Sequence, residues 1–505
     1  MTTLAPQQVI IAGGGTAGWM TAAALSRFTP RHTTITLVES ETIGTVGVGE
    51  ATIPPLADFN HMLGINEHDF LAATGGTYKL GIDFIHWGQK GSRYFHPFSA
   101  FGFDIDGLGF HQIWHWLGEP TALDTFSIGA QAAARARFMQ PRMDAVDSPL
   151  SQLRHAYHID AGRYARFLRD FAQERGVQRI EGVIADVSQD HDSGDIRSLT
   201  LADGQTINGD FFIDCSGFRS LLLGQTLGAE FQDWSHWLPC DRAFAVPSQS
   251  AARLESSTRS TAHDCGWQWR IPLQHRTGNG HVYCSAFTSD EAASQTLLQN
   301  LDTQPTDEPR ALRFRTGRQT AFWSHNCVAI GLSAGFLEPL ESTSIHLIQE
   351  GISKLLALFP GHDDYAPSRR QYNELMSNLF DDVRDFVILH YHATARDDSE
   401  FWRTVRTTPI PDTLAERIDA FVHRGQWFAH RADLFTETSW VAVMLGQGLR
   451  PKAHHPLLES LDSARVRQQL KEMATVYGTA AEHMPPHAAY LKRYCAPTPA
   501  MEQIA

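Results

Sequence analysis

A lysine and a glutamate are the side chains whose types and surroundings best suit a chemical reaction. Lys79 is a single lysine among glycine and apolar residues in the run GGTYKLG. Burying its ammonium would be costly unless the charge had a function, although a lone lysine is more often a solvated surface residue. Glu341, in the run EPLEST, offers the carboxylate of a general base. Its alternative roles are a helix cap or a salt-bridge partner.

The residues around Glu341 also have the pattern of an anion site. Glu341, Ser342 and Thr343 directly precede an apolar pattern at residues 345–359 that predicts a helix. The first backbone N–H groups of a helix have no partner within the helix and attract anions. The hydroxyl of Ser342 or Thr343 could instead cap the helix. At this point the sequence leaves both interpretations open.

A glycine-rich turn near the N-terminus predicts a dinucleotide site. In GGGTAGWM, Gly13, Gly15 and Gly18 have the GxGxxG spacing between an apolar strand and a helical pattern. The first glycine permits a tight turn, the second lets a pyrophosphate approach, and the third lets helix and strand pack closely. Glu39 ends the next predicted strand, where it can accept hydrogen bonds from ribose hydroxyls. The nucleotide residues expected from this motif are Gly13, Gly15, Thr16, Ala17, Gly18 and Glu39.

Two later segments favour FAD over NAD as the dinucleotide. DGQTINGDFFIDCSGF at 203–218 places an acidic turn, a strand and a small-residue turn far downstream. VAIGLSAGFLEPLEST at 328–343 adds another strand and the helix N-terminus that can bind an anion. Segments that are so distant in sequence from the glycine turn, yet are expected to join the same sheet, fit the binding of an extended flavin dinucleotide. Since no second GxGxxG unit is present for NAD(P)H, we expect the reducing equivalents to come from another protein.

Length and charge limit the classes of function. The chain has 505 residues, enough to bury a sizeable core, and a formal net charge of −14. Nucleic-acid binding is not expected, because phosphate recognition needs a basic face. The absence of a signal-peptide pattern and of an apolar run of about 20 residues predicts a cytoplasmic protein without a membrane partner. The cysteines are scattered without a CxxC pair, so we expect neither a metal site nor disulfides.

The elements that must position these residues predict an α/β fold. Residues 8–11 and 34–39 are predicted strands on either side of the helix that follows the glycines, which makes a βαβ unit with a parallel sheet. A helix is predicted at residues 161–176, and strand-like runs dominate residues 235–330. The glycine turn, the late strands and the helix at 345–359 are therefore expected to meet at one sheet.

The domain organisation follows from a change of pattern, since the chain is mainly helical after about residue 365. We predict a Rossmann-type FAD-binding module over residues 1–360, with mixed sheets and interleaved β-rich substrate segments. Residues 361–505 are predicted to form a mainly helical C-terminal subdomain on the substrate side. The pattern of residues 70–150 predicts no definite element.

Six runs of the sequence resemble the flavin-dependent tryptophan halogenase family. In chain order they are GGGTAGWM at 13–20, GVGEATIPP at 47–55, GGTYKLG at 75–81, FFIDCSGF at 211–218, WQWRIP at 267–272 and GFLEPLESTSI at 335–345. Many oxidoreductases share the glycine motif, whereas WxWxIP together with the lysine and EPLEST is far more specific. The resemblance extends through at least the first 360 residues.

The resemblance implies a two-component halogenase. A separate NAD(P)H-dependent flavin reductase supplies FADH2, which with oxygen oxidises chloride or bromide to hypohalous acid for a small, electron-rich aromatic substrate. Lys79 matches the lysine that guides hypohalous acid, and Glu341 matches the glutamate near the reacting carbon. Thr343 and Ser344 match the halide-binding position beside the flavin. Further FAD contacts are implied at Gly49, Glu50, Ala51, Ile184, Leu332 and Ile345.

Some details of this chemistry stay open at the level of sequence. A buried ammonium at Lys79 can hydrogen-bond and polarise hypohalous acid, or it can be N-halogenated if its pKa falls. The oligomeric state is open as well, with a homodimer as one candidate.

Two departures from the family pattern bear on specificity. Ser344 stands where glycine is usual, and its β-carbon narrows the halide position. Because bromide is easier to oxidise than chloride, our hypothesis is a preference for bromide. The run FTETSWVAVMLGQG at 435–448 lacks the tyrosine-rich segment with which members acting on free tryptophan hold that amino acid. We therefore expect indole, a substituted indole, or a larger or peptide-borne aromatic as the substrate.

The aromatic residues divide into a marker motif and pocket candidates. In WQWRIP, Trp267, Trp269 and Ile271 alternate on one strand face that Pro272 ends, which is typical of a core stripe. In the family these tryptophans are associated with keeping the substrate away from the flavin, so we treat the run as a marker. The candidates for lining an aromatic pocket, all equally suited to a core, are Phe101, Phe103, Phe110, Trp114, Trp116 and Trp440.

Three other functions share parts of this pattern. A flavin-dependent aromatic monooxygenase, which is the main alternative, needs the FAD segments but neither Lys79 nor Glu341. A non-catalytic flavin-binding protein would show no halide-dependent turnover. A flavin dehydrogenase with its own NAD(P)H site would oxidise NADH directly.

Overall fold

The structure is a computed structural model that describes residues 6–43, 49–361, 365–429 and 433–496, so Gly47 and Val48 of the GVGEATIPP run lie outside the described residues. The strands are β1 Gln8–Ala12, β2 Thr34–Glu39, β3 Gly49–Ala51, β4 Thr77–Lys79, β5 Gly81–Ile85, β6 Arg93–Pro97, β7 Ala156–Asp160, β8 Gln178–Glu181, β9 Ile184–Gln189, β10 Ile196–Leu201, β11 Thr206–Asn208, β12 Phe211–Asp214, β13 Phe231–Asp233, β14 Arg242–Ser248, β15 Thr258–His263, β16 Gly266–Pro272, β17 Thr277–Tyr283, β18 Arg310–Arg313, β19 Gly317–Gln319, β20 Trp323–Ser324, β21 Cys327–Ala329 and β22 Gly335–Phe336. The helices are α1 Thr16–Phe28, α2 Pro55–Leu63, α3 Glu67–Thr74, α4 Phe110–Trp116, α5 Ile128–Ala134, α6 Ala161–Gln173, α7 Asp290–Gln299, α8 Ser344–Ala357, α9 Ala366–His392, α10 Glu400–Thr407, α11 Asp412–Arg424, α12 Glu437–Gly446, α13 Ser463–His483 and α14 His487–Tyr494.

A six-stranded sheet contains the predicted βαβ unit. Its strand order is β20-β21-β12-β1-β2-β8, and the neighbouring strands from β21 to β8 are parallel. Val9 and Ile11 of β1 pack into the main core with helix α1, whereas Ile10 packs into a second cluster with Leu199 of β10. Strand β1 is apolar on both faces because helices cover one face of the sheet and the small β9-β10-β11 sheet lies on the other. The parallel sheet and its crossover helix confirm the α/β prediction.

A second, seven-stranded sheet has the order β18-β14-β17-β16-β15-β5-β6 and is antiparallel except between β15 and β5. Strand β16 carries the WQWRIP run in the middle of this sheet, and all of its residues are buried. The predicted core stripe of Trp267, Trp269 and Ile271 is confirmed, and Gln268 and Arg270 on the other face are buried as well. Arg270 tolerates burial because its guanidinium pairs with the carboxylates of Glu255 and Asp302.

A small three-stranded sheet brings Lys79 to the centre of the molecule. Its strand order is β3-β7-β4, with antiparallel pairing. Lys79 is the last residue of β4, and the chain then passes through Leu80 into β5 of the large sheet. The N–H of Leu80 donates to the carbonyl oxygen of Ser256, which fixes this crossing point. Lys79 thus lies where two sheets meet.

Helices make up the regular structure of the described ranges beyond residue 361. Helix α9 packs on α8, α12 packs on β6, and α13 packs on α5, so these helices cover the earlier part of the chain. The predicted helix at 345–359 corresponds to Ser344–Ala357, and the helix predicted at 161–176 corresponds to Ala161–Gln173. No helix within the described ranges combines the length and the apolar character that crossing a bilayer requires.

Candidate active site

The glycine turn between β1 and α1 has the geometry that a dinucleotide motif requires. Gly13 has a φ of 113°, and a β-carbon on it would lie 2.2 Å from the carbonyl oxygen of Cys215. A β-carbon on Gly18 would lie 1.9 Å from the carbonyl oxygen of Gly13, so α1 packs closely only with glycine there. A β-carbon on Gly15 would meet nothing within 4 Å. This open space faces the N-terminus of α1, where Thr16 and Ala17 begin the helix, and it fits a pyrophosphate.

Glu39 lies directly beside this turn, at the end of β2. A β-carbon on Gly14 would overlap its carboxylate, at 1.6 Å from Oε2. Arg179 donates a hydrogen bond to Oε1, and Trp19 Nε1 donates to Oε2 over 3.2 Å. These two donors hold the carboxylate in place, and its remaining lone pairs are free to accept ribose hydroxyls.

The other expected cofactor residues lie on both sides of the turn. A β-carbon on Gly331 would lie 2.7 Å from the β-carbon of Ala17, which places the neighbouring Leu332 beside the start of α1. Ile345 is buried in the first turn of α8, a helix that packs on α1. Ile184 begins β9 and packs against the cluster that contains Val38 of β2. These positions form the surroundings of the glycine turn, and together with it they fit FAD.

The GVGEATIPP run links this region to the large sheet. Gly49 begins β3, and a β-carbon on it would lie 3.4 Å from Cγ2 of Ile271 in the WQWRIP strand. Glu50 follows, and burial raises the pKa of its carboxyl group to about 7. Ala51 is buried and leads to Thr52, whose carbonyl oxygen contacts Lys79.

Lys79 is completely buried, with 0% of its surface exposed, so the interpretation as a solvated surface lysine is wrong. Its Nζ donates to the carbonyl oxygen of Thr52 and to Oγ of Ser342, each over 2.9 Å. Nζ also lies 5.1 Å from the centre of the Phe98 ring. Burial lowers the pKa of Lys79 to about 7, although the negative charge of Glu341 opposes this shift. A buried amine of this kind is typical of a functional site.

Glu341 is buried beside the same serine and is held by two histidines. Its Oε2 lies 3.0 Å from Nδ1 of His96, and its Oε1 lies 2.7 Å from Nε2 of His390. Burial raises the pKa of the carboxyl group, but the histidines outweigh this effect and hold the pKa at about 2. Glu341 is therefore a carboxylate over the whole physiological pH range, and it lies at the end of a short 3-10 turn, Pro339–Glu341.

The halide candidates lie at the N-terminus of α8. Thr343 occupies the N-cap position but makes no capping hydrogen bond, and the hydroxyl of Ser342 is engaged by Lys79. The prediction that one of these hydroxyls caps the helix is therefore wrong. Thr343 is fully buried, and its Oγ1 has no hydrogen-bond partner within the described ranges. A buried, unpaired hydroxyl beside unpaired backbone N–H groups suits an anion. Ser344, the first residue of α8, is partly buried.

The WQWRIP strand contacts three of the other motif runs. Trp267 Nε1 donates to Oε2 of Glu338 in EPLEST over 3.1 Å, and Ile271 packs near Gly49 as described above. The carbonyl oxygen of Pro272 accepts a hydrogen bond of 2.7 Å from the hydroxyl of Thr77 on β4. Trp269 lies across Gly280, where a β-carbon would be 2.0 Å from the indole. The strand is a central support for the site.

A cavity of about 660 Å³ has in its lining Phe98, the residue whose ring lies near Nζ of Lys79. Its lining includes three of the six aromatic candidates, Phe101, Phe103 and Phe110, together with Phe98 itself. Trp114, Trp116 and Trp440 are not among the described residues that line it. Trp440 is instead fully buried, with its ring centre 4.9 Å from that of Phe386. Phe98 thus belongs both to the lining of the cavity and to the surroundings of Lys79.

His96 and His390 are the residues that the sequence did not identify. No spacing relates positions 96, 341 and 390, because three different elements bring them together. No local signal marked them, since the pattern of residues 70–150 predicted no definite element around His96.

The comparisons with known proteins agree with this geometry. The family model described as tryptophan halogenase matches residues 8–463. A tryptophan 6-halogenase from Streptomyces toxytricini, SttH, is 36% identical over 93% of this chain and 94% of its own length. A solved structure of Xcc4156, a flavin-dependent halogenase from Xanthomonas campestris, superposes with a TM-score of 0.94 at 47% identity and covers 98% of this chain and 99% of that one.

A second solved structure, BrvH, a flavin-dependent halogenase from Brevundimonas sp. BAL3, superposes with a TM-score of 0.93 at 43% identity. It covers 97% of this chain and 99% of its own. The matched range of the family model, residues 8–463, includes the glycine turn, Lys79 and the EPLEST run. The chain therefore belongs to the tryptophan halogenase family, and it is a flavin-dependent enzyme.

Proposed function

We propose that this enzyme halogenates an electron-rich aromatic ring of the indole type. The observation that carries the proposal is Lys79, a fully buried amine that donates a hydrogen bond to Ser342 beside the carboxylate of Glu341. Its Nζ lies 5.1 Å from the ring centre of Phe98, a residue that also lines a cavity of about 660 Å³. In the balanced reaction, FADH2, oxygen, a halide ion, a proton and the arene give FAD, the aryl halide and two molecules of water. Xcc4156 and BrvH, to which the chain is similar throughout, are flavin-dependent halogenases.

The residues of the chain hold the reactants at separate places. The glycine turn, Glu39 and the surroundings of Leu332 would hold FAD, which when reduced supplies the electrons that convert oxygen and halide to hypohalous acid. A separate NAD(P)H-dependent reductase provides that reduced flavin, and this dependence supports a cytoplasmic location. The hydroxyl of Thr343 and the first N–H groups of α8 bind the halide ion.

Lys79 and Glu341 act on the reacting atoms at the aromatic ring. The ammonium of Lys79 donates a hydrogen bond to the oxygen of hypohalous acid, which makes the halogen more electrophilic. An electron pair of the ring forms the carbon–halogen bond as the halogen–oxygen bond breaks, and the leaving hydroxide takes a proton from the ammonium of Lys79 and departs as water. Glu341, ionised and fixed by His96 and His390, accepts the proton that the ring carbon loses.

The cavity favours an aromatic substrate without the groups of a free amino acid. Its described lining contains no tyrosine, and it includes the acidic residues Asp104 and Glu437, which disfavour a substrate carboxylate. The guanidinium of Arg154, which also lines the cavity, donates hydrogen bonds to the carbonyl oxygens of Ser151 and Leu153. The apolar rim, where Phe103, Met143 and Val146 are exposed, suits an indole bearing a larger apolar substituent.

The test is turnover of an indole panel by the full chain with FAD, a flavin reductase, NADH and bromide or chloride, followed by mass spectrometry. We expect brominated indoles, and we expect Lys79→Ala to oxidise FADH2 without halogenated product. A hydroxylated product that forms equally well without halide would establish the aromatic monooxygenase instead. Normal halogenation by Lys79→Ala would remove the lysine from the mechanism.

The halide preference is tested in the same assay. With chloride and bromide at equal concentrations, the preference for bromide proposed from Ser344 predicts mainly brominated product. Equal or better chlorination would reject that preference without affecting the assignment as a halogenase.

A further inference from the structure

Glu338, the first carboxylate of EPLEST, is a buried acid that the proposed reaction does not use. It is 1% exposed, and its Oε2 accepts hydrogen bonds from Trp267 Nε1 at 3.1 Å and from the hydroxyl of Tyr391 at 2.9 Å. Its Oε1 has no hydrogen-bond partner in the part of the chain that the structure describes. Burial raises the pKa of this carboxyl group to about 7. Because both donors are neutral, an apolar residue would cost less at this position than the acid does.

Glu338 begins the turn that Glu341 ends. The N–H of Leu340 donates to the carbonyl oxygen of Glu338, and the N–H of Ser342 donates to that of Pro339. Ser342 then has a φ of 60°, a left-handed conformation that costs a residue other than glycine about 1–2 kcal/mol. A single strained turn is too short to fix its own orientation, so contacts from other elements must hold it.

Helix α9 holds both ends of this turn through two consecutive residues. His390 lies 2.7 Å from Glu341, and Tyr391 donates to Glu338. The indole of Trp87 packs against both, with its ring centre 5.9 Å from that of His390 and 5.6 Å from that of Tyr391. A rotation or shift at either glutamate is therefore transmitted to the other through a rigid, fully buried aromatic group.

We propose that Glu338 is a positioning residue that, with Tyr391 and Trp267, fixes the Pro339–Glu341 turn so that Glu341 and Ser342 face Lys79. This inference rests on the proposed function, because it assigns the network to the delivery of halogen to the substrate. The network acts through Glu341 and has no contact with the nucleotide turn around Gly15. It therefore controls the step at the ring and leaves the oxidation of FADH2 unaffected.

Substitutions that remove one hydrogen bond at a time test the proposal. Tyr391→Phe deletes the donor, and Glu338→Leu deletes the acceptor, whereas Glu338→Gln keeps an oxygen that accepts from both donors. The matched control is Tyr372→Phe, which removes a buried hydroxyl from the same helix where it donates to the carbonyl oxygen of Gly351. Each variant is assayed in the full chain with FAD, reductase, NADH, bromide and indole.

The measured quantity is brominated product per FADH2 oxidised, with the melting temperature as a check on folding. For Tyr391→Phe and Glu338→Leu we expect this ratio to fall about ten-fold at an unchanged rate of FADH2 oxidation, since small misplacements of catalytic groups are costly. Glu338→Gln and Tyr372→Phe should keep ratios near that of the wild type. Equal ratios in Tyr391→Phe and Tyr372→Phe would overturn the proposal, and so would a parallel loss of FADH2 oxidation.

A crystal structure of Tyr391→Phe separates this inference from the proposed function. We expect the carboxylate of Glu341 to move away from His390 or to occupy a second conformer. An unchanged turn would refute the positioning role even if the wild-type enzyme halogenated no tested substrate. Failure of the wild type to halogenate would refute the proposed function alone.

Discussion

Of the two proposed catalytic residues, Lys79 is the one whose ionisation changes within the ordinary pH range. Two of the three N–H groups of its ammonium donate hydrogen bonds to the carbonyl oxygen of Thr52 and the hydroxyl of Ser342. In the part of the chain that the structure describes, the third N–H group is left to bind a ligand. The two acceptors, the face of Phe98 and the charge of Glu341 all favour the cation. The hydrogen-bonding mechanism is therefore better supported by these contacts than formation of a haloamine.

The pH dependence of halogenation follows from this assignment. Because burial lowers the pKa of Lys79 to about 7, the ammonium is present below that pH and is lost as the pH rises through it. We predict that product per FADH2 oxidised declines as the pH rises through about 7, while the pKa of Glu341 at about 2 adds no inflection. The pKa values of Glu50 and Glu338 are also raised to about 7, so Glu50→Gln and Glu338→Gln serve as controls that should retain the decline. A ratio that rises with pH would favour N-halogenation.

Thr343 offers a second prediction at the scale of a single side chain. Its hydroxyl makes no hydrogen bond within the described ranges, so Thr343→Val should leave the melting temperature unchanged or slightly raised. A hydrogen bond to an anion contributes about 1.5–3 kcal/mol, so we expect the KM for bromide to rise about ten-fold or more. Thr316→Val is the matched control. Oγ1 of Thr316 is also buried and unpaired within the described ranges, but Thr316 directly precedes β19, where its carbonyl oxygen accepts from the N–H of Trp234. Equal bromide KM values in the two variants would contradict a halide role.

The elements were predicted well where the local pattern determines them. Strands β1 and β2 and helix α1 follow the glycine motif, and α8 was predicted to within two residues at each end. Strand β16 shows the limit, since its alternating tryptophans indicated one buried face. The long-range pairing of Arg270 with Glu255 and Asp302 allows its other face to be buried too, and no local pattern carries that information.

The βα turn gives a prediction at the scale of an element. A β-carbon at position 15 would have no neighbouring atom within 4 Å, so Gly15→Ala should fold with a melting temperature near that of the wild type. It should nevertheless bind FAD more weakly, because the new methyl group occupies the space beside the start of α1. Gly18→Ala places its β-carbon 1.9 Å from the Gly13 carbonyl oxygen, so it should fold poorly. Titration of each purified variant with FAD, followed by flavin fluorescence, measures the difference; unchanged FAD affinity in Gly15→Ala would contradict the assignment.

At the scale of the whole molecule, the sequence predicted the fold better than the site. The α/β architecture follows from periodicity and glycine spacing, which are local. The candidate site depends on Lys79, His96, Glu341 and His390, which come from four elements far apart in the chain. Only the resemblance to a family indicated Lys79 as a site residue beforehand. Its burial and its distance to Ser342 result from long-range packing where two sheets meet, which no local pattern predicts.

The C-terminal helices are also part of the support for Lys79. Nε2 of His487, at the start of α14, accepts a hydrogen bond of 3.2 Å from the N–H of Tyr78, the residue before the lysine. Gln274 donates to the carbonyl oxygens of Gly76 and Cys495, which ties β4 to the end of α14. The strand that carries the lysine is thus held from the last described segment of the chain.

We therefore predict that residues 1–360 do not fold without the helices that follow. Removing those helices would expose the apolar surface on which α9 packs through Phe386, Val387 and Leu389. It would also take His390 away from Glu341 and His487 away from the N–H of Tyr78. The full chain should show one main calorimetric unfolding transition, and limited proteolysis should not release a stable fragment ending near residue 360. A soluble 1–360 fragment with the circular dichroism spectrum of a folded protein and the FAD affinity of the full chain would contradict this prediction. The nucleotide-binding module would then fold independently, and α9 would pack on it as a separate unit.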